Sequence, residues 1–161
     1  MSTTATIRRV THSDILGAPN AQALIDEYAA ECSIEQIGQI YPQEHVYAAI
    51  ENSGLAQFLG VYVQVQHPIE TEKLVGFAVL LFVTPPHYGI PVGVVESLFV
   101  SYAHRSGGTG RALLNAIEDA ALEADCKAVL YSAPANSRFA KLLEVGHAYV
   151  HTNVVYARRL Q

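Results

Sequence analysis

Arg105-Ser106-Gly107-Gly108-Thr109-Gly110-Arg111 lies between two segments of opposite character. Before it, Val92 to Ser101 is an apolar run of strand type. After it, Gly110 to Ala124 carries Leu113, Leu114, Ile117, Ala120, Ala121 and Ala124 at helical spacing, with Asn115, Glu118, Asp119 and Glu123 on the other side. The order is strand, glycine turn, helix start. Glycines lack a Cβ and let backbone N–H groups come close to a ligand. The first N–H groups of a helix have no partner inside it, and the helix dipole adds partial positive charge there. Such a turn is suited to a diphosphate, with Arg105 and Arg111 as added charge.

Three phosphate-binding patterns compete for this loop. A P-loop ends Gly-Lys-Ser/Thr, whereas this one ends Gly110-Arg111-Ala112. A dinucleotide fold needs G-x-G-x-x-G, and Leu113 stands where the third glycine belongs. It also needs an acid at the end of the next strand, which here reads Tyr131-Ser132-Ala133. The third pattern is R-x-x-G-x-G, matched by Arg105, Gly108 and Gly110.

Working outward, Thr4 to Val10 reads as a short strand, with Thr11 or Ser13 as a cap for the next segment. Ala21, Leu24, Ile25, Tyr28 and Ala29 recur with helical period. A second helix starts at Pro42 and ends before Gly54. Leu55 to Val65 and Leu74 to Val83 are strands, the latter apolar enough to be buried on both faces. Pro85 to Gly89 is a loop. Beyond the central helix come a strand at Lys127 to Ala133, a short helix at Ser137 to Val145 stopped by Gly146, and a last strand at Tyr149 to Arg158. This mixture predicts an α/β (α+β) fold.

The chain has 161 residues, 50% hydrophobic and 16% charged. That length predicts one domain over residues 1–161. The composition excludes a disordered chain. No apolar run reaches the roughly 20 residues of a membrane span, and MSTTATIRRV lacks a signal-peptide core. Cys32 and Cys126 make no disulfide framework. A soluble, cytoplasmic protein is expected. The net charge of −5 divides unevenly, −6 over residues 1–80 and +1 over 81–161. An acidic chain with no basic run argues against nucleic-acid binding. The acidic half either solvates helix faces or attracts a cationic small molecule. His12, His45, His67, His87, His104, His147 and His151 show no metal spacing among themselves or with the cysteines, so no metal is expected.

With Arg105-x-x-Gly108-x-Gly110 and both its flanks, the sequence resembles the GNAT superfamily of N-acetyltransferases. Glu96-Ser97-Leu98-Phe99-Val100 through Arg105 to Leu114 is similar to the family's fourth strand, coenzyme A loop and third helix. Gly146 resembles the glycine after the family's fourth helix. The first 60 residues match only in layout. The resemblance implies a mixed, mostly antiparallel central sheet with helices on both faces, splayed between the fourth and fifth strands. It implies acetyl-CoA as cosubstrate, its pyrophosphate on Arg105, Ser106, Gly107, Gly108, Thr109, Gly110 and Arg111. The main chain of Leu98, Phe99 and Val100 would hold the acetyl group and pantetheine arm, with a backbone N–H for the carbonyl oxygen.

Acetyl transfer needs a neutral amine. At an amine pKa of about 10.4, roughly one molecule in a few thousand is neutral at pH 7, and a base near the nitrogen reduces that penalty. Glu96 is the one acid of the second half inside an apolar strand, and the resemblance implies a general base there. Its other reading is an ion-paired structural acid. Strand alternation puts Glu96, Leu98 and Val100 on one face unless a bulge intervenes. The family's usual tyrosine acid, about four residues before the late glycine, falls on Leu142 or Leu143. Tyr131, Ser132 or Ser137 replaces it, or no side-chain acid is used, or catalysis is lost. His87, Tyr88, Tyr41 and Glu44 are candidate lining for a small-molecule or peptide amine. The leading expectation is an N-acetyltransferase. The alternatives are an acyl-CoA-binding sensor or scaffold with little catalysis, and a nucleotide-binding module. Dimers are frequent in such folds, but no residue here decides the matter.

Overall fold

The computed structural model describes residues 5–66, 70–145 and 148–160. Strand β1 (Thr6–Val10) leads into helix α1 (His12–Leu16). Thr11 starts that helix with a capping box: its hydroxyl accepts from the Asp14 N–H, and the Asp14 carboxylate accepts from the Thr11 N–H. Asp14 is held below the usual carboxylate range by those bonds. Helices α2 (Ala21–Cys32) and α3 (Glu44–Asn52) come next, then strands β2 (Ala56–Gln66), β3 (Glu70–Val83) and β4 (Val92–Val100). A single 3-10 turn at Tyr102–His104 precedes helix α4 (Thr109–Glu123), strand β5 (Val129–Tyr131) and helix α5 (Arg138–Glu144).

The sheet order is β1-β2-β3-β4-β5, antiparallel throughout except for the parallel β4–β5 pair. This is the mixed, mostly antiparallel sheet that the sequence predicts. β3 is buried on both faces, with Leu74, Val75, Ala78 and Leu80 almost inaccessible. One face packs Val61, Val75, Leu80 and Val95 against Leu113, Ile117, Ala120 and Ala121 of α4. The other packs Phe58, Leu74, Phe77 and Phe99 against Ile15 of α1, Leu24 and Tyr28 of α2 and Tyr47 of α3. Helices therefore cover both faces, and this second, aromatic face carries the candidate site.

Gly76 brings β3 and β4 together more closely than a side chain allows. A Cβ there would stand 2.6 Å from the Phe99 carbonyl oxygen and 3.2 Å from the Val100 Cα. Gly76→Ala is expected to lower stability by roughly 1–3 kcal/mol, because the neighbour that must yield is backbone. Thermal unfolding measures this, and an unchanged midpoint would mean that β4 shifts at no cost.

The structure departs from sequence expectation in several places. β3 starts four residues earlier than expected, because its polar Glu70–Lys73 segment pairs with the end of β2. The fifth strand shrinks from Lys127–Ala133 to Val129–Tyr131, since only three of its residues find partners on β4. No strand forms over Tyr149 to Arg158, where the described chain has no sheet partner. Val150, Val155 and Tyr156 are more than four-fifths exposed there. Thr4 and Gly146 lie outside the described residues. Among the described residues no helix is long and apolar enough to cross a membrane.

Candidate active site

One extra residue shapes the site. On β4, Ser97 stands opposite Val79 and Val95 stands opposite Leu80, so Glu96 has no partner on β3. A bulge of this kind bends its strand and breaks the alternation of side chains. Both effects are visible. Pairing of β4 with β5 stops at Val95–Tyr131, and the edge from Glu96 to Val100 runs on unpaired by β5. The sheet is thus splayed between its fourth and fifth strands. The expected sharing of one face by Glu96, Leu98 and Val100 does not hold. Leu98 and Val100 pack with the α4 cluster, while Glu96 bonds to Tyr47 on the aromatic side.

Glu96 is exposed but not free. Ser97 Oγ donates to its Oε2 at 2.7 Å, and the Tyr47 hydroxyl donates more loosely to Oε1 at 3.3 Å. Burial, and after it the Glu96 charge, pushes the Tyr47 hydroxyl up to about 12. The same two causes raise Tyr28 further. Both phenols stay protonated at neutral pH and can donate toward the carboxylate's surroundings. The carboxylate is exposed and hydrogen-bonded to hydroxyls, with no ion-pair partner among the described residues.

Tyr47 and Ser97 also line a small cleft open to solvent. Its walls come from α1, α2, the start of the α3 segment and strands β2 to β4: Ile15, Leu16, Ile25, Tyr28, Pro42, Phe58, Phe77 and Val79, with His12 at one side. The rings lock one another edge to face, Tyr28 on Phe77 at 84° and Tyr47 on Phe58 at 81°. His12 and Glu51 satisfy each other: Nδ1 to Oε2 is 2.5 Å, and the His12 N–H donates to Oε1 at 3.1 Å.

The glycine loop comes directly after β4. Gly107 and Gly108 have φ of 77° and 85°, the left-handed region that favours glycine. Gly108 is the N-cap of α4, and Thr109 is buried at its first turn. None of the N–H groups of residues 107–111 donates to an acceptor among the described residues. Gly110 has open space where a Cβ would be, and Arg111 is exposed on the first turn. Arg105 turns the other way. Its Nε donates to the Val100 carbonyl at 2.7 Å, and its Nη atoms hold Glu31 of α2 at 3.0 and 2.5 Å. It ties the loop to the end of β4 and to α2. The donor groups and the room fit a diphosphate; the guanidinium of Arg105 serves as an anchor.

A family model described as the acetyltransferase (GNAT) family matches residues 22–146. The chain belongs to the GNAT acetyltransferase family.

The fold of this GNAT chain is shared with solved structures. A ribosomal-protein-alanine N-acetyltransferase from Brucella melitensis biovar Abortus 2308 is 22% identical, with a TM-score of 0.68 over 96% of this chain and 97% of that one. The aminoglycoside acetyltransferase meta-AAC0020 from an uncultured soil metagenomic sample is 17% identical, with a TM-score of 0.68 over 98% and 97%. An acetyltransferase from Trypanosoma brucei is 16% identical, with a TM-score of 0.61 over 95% and 99%. No curated protein sequence matches the chain.

Two of the three candidate acids of this GNAT chain, Tyr131 and Ser137, are otherwise engaged. The Tyr131 hydroxyl lies 3.4 Å from Glu118 of α4, and burial, then the Glu118 charge, raises it far above the usual tyrosine range. Its ring packs with the α4 cluster, on the opposite side of the sheet from Glu96. Ser137 caps α5, accepting from the Ala140 N–H at 3.0 Å. Ser132 is exposed at the strand end with no hydrogen bond among the described residues. The expected acceptor lining also lies elsewhere. Tyr41 is 80% exposed, Glu44 is exposed at the start of α3, and His87 packs at a tilt on Tyr88, ring centres 4.1 Å apart, outside the cleft. His12, Tyr28, Tyr47 and Phe58, which do line it, carry no motif; Tyr28 reads from sequence only as part of an apolar helix stripe. No three His, Cys, Asp or Glu side chains gather among the described residues as a metal site would need.

Proposed function

We propose that this chain, acting as one domain over residues 1–161, moves the acetyl group of acetyl-CoA to the nitrogen of a primary amine. The acceptor is a small molecule or a peptide. The observation that carries the reading is the bulge at Glu96, which puts an exposed carboxylate on Tyr47 and Ser97 of an apolar cleft, where β4 parts from β5. Bound acetyl-CoA supplies an activated thioester. The free N–H groups of residues 107–111, with Arg111, bind the diphosphate. The unpaired edge at Leu98, Phe99 and Val100 orients the pantetheine arm, and one of its N–H groups faces the acetyl oxygen. Glu96 takes the proton that the amine gives up as its nitrogen bonds to the acetyl carbon and the carbon–sulfur bond breaks. Ser97 and Tyr47 hold the carboxylate for this. The sulfur leaves as thiolate and takes its proton from water, which agrees with the engagement of Tyr131 and Ser137.

Thiol release from acetyl-CoA, followed across a panel of primary amines, tests the proposal. Amine-dependent release at a rate above that with water alone is expected. Tight acetyl-CoA binding with no release for any amine would favour the sensor or scaffold, which the leucines at 142 and 143 keep in view. A preference for ATP or NAD over coenzyme A would favour a nucleotide-binding module.

A further inference from the structure

We infer that the cleft beside Glu96 takes the apolar body of a monocationic amine, an alkylamine or arylalkylamine, in preference to a polyamine or an aminosugar. The inference rests on the acetyl-transfer reading and narrows its acceptor. The cleft's walls are almost wholly apolar, and the ring of Tyr28, Tyr47 and Phe58 is fixed by edge-to-face contacts. A hydroxylated or charged group pushed among them would lose water and gain no partner. The polar atoms of the lining are few: Ser97 and Tyr47 hold the Glu96 carboxylate, and His12 is already paired with Glu51. An ammonium group at the Glu96 carboxylate and a hydrocarbon body along the walls match this division.

A second positive charge finds no carboxylate among the residues that line the cleft. Glu51, the acid nearest the wall, has both oxygens on His12. On α2, Glu27 accepts from the Tyr102 N–H at 2.7 Å, Glu31 holds Arg105, and Asp26 accepts from Gln22. Glu35 and Glu44 are exposed and have no partner among the described residues, but neither lines the cleft. A diamine would carry one charge into an apolar cavity without a counter-ion.

The experiment is a set of kcat/KM values for n-propylamine to n-hexylamine and phenethylamine, against putrescine, spermidine and glucosamine. Calorimetric binding of the same amines provides a readout that needs no turnover. Each added methylene is expected to raise kcat/KM about fourfold until the cleft is full, with putrescine well below n-butylamine. Ile25, half-buried in the wall, provides the variants. Ile25→Glu should lower kcat/KM and affinity for n-butylamine at least tenfold and narrow the gap to putrescine. Ile25→Ala, the milder change, should shift the optimum to longer chains. Folding of both is checked by thermal unfolding. Equal or better use of putrescine, spermidine or glucosamine by the wild type would overturn the inference and leave acetyl transfer standing. Acetyl-CoA that neither binds nor releases thiol with any amine would remove the underlying reading. Alkylamines that bind with the chain-length trend, but are not acetylated, would keep the cleft's preference and remove only the transfer.

Discussion

Glu96→Gln is expected to lower kcat/KM by roughly 10²- to 10⁴-fold while leaving acetyl-CoA affinity unchanged. Glutamine keeps the shape of the side chain and a carbonyl oxygen for the Ser97 hydroxyl, but it takes no proton. A lysine-like acceptor with a pKa of about 10.4 carries a deprotonation cost of roughly 4–5 kcal/mol at neutral pH. On the proposed mechanism the Glu96 carboxylate acts on that cost at the reacting nitrogen. Because Glu96 is exposed and bonds only to Ser97 and Tyr47, the thermal midpoint should move little; such surface changes stay within about 0.5 kcal/mol. Steady-state kinetics with a good amine decides the matter. A variant as fast as the wild type would take Glu96 out of the mechanism and leave water in the cleft as the base.

Gly108→Val carries the second large effect. Gly108 sits at φ 85°, and a Cβ there meets nothing within 4 Å. The protein therefore offers no clash, and the folding cost is backbone strain alone, of order 1–3 kcal/mol for a β-branched residue in that region. The new side chain stands within the run of unpaired N–H groups at residues 107–111. In the wild type, acetyl-CoA at 100 times its dissociation constant should add about 2.7 kcal/mol of stability. In Gly108→Val that gain should vanish although the domain still folds. Thermal unfolding with and without acetyl-CoA reads both quantities. A folded variant with the full ligand shift would place the coenzyme elsewhere.

Local pattern is the part of this fold that is legible in the sequence. Leu74 to Val83 reads as a strand buried on both faces because its neighbours in sequence are nearly all apolar, and β3 is that strand. The glycine run reads as a turn into a helix because positive φ and an open N-terminus need those residues, and Gly107 and Gly108 have that geometry. The bulge is not written in the apolar pattern. Alternation alone puts Glu96 with Leu98 and Val100, and only the register against β3 separates them. Arg105 next to glycines reads as a phosphate ligand, and its contact with Glu31 is invisible in the sequence because Glu31 lies 74 positions away. The cleft is hidden for the same reason. Tyr28 and Tyr47 belong to separate helices, and each looks like ordinary core until the two meet over Phe58 and Phe77. The expected last strand shows the opposite failure. Tyr149 to Arg158 has strand composition, but a strand needs a partner edge, and composition does not supply one.

Val95 and Ser97 already stand opposite successive residues of β3, Leu80 and Val79. Val95 already faces α4 and Ser97 already faces the cleft. Losing codon 96 would close an ordinary ladder in which every flanking side chain keeps its face. The sheet has no need of residue 96, which interrupts its hydrogen bonding and bends it away from β5. Selection for stability alone favours a deletion at this position, and selection for chemistry opposes it. On the proposed mechanism, an in-frame loss of three nucleotides is thus the shortest route from this chain to a regular ladder without its base.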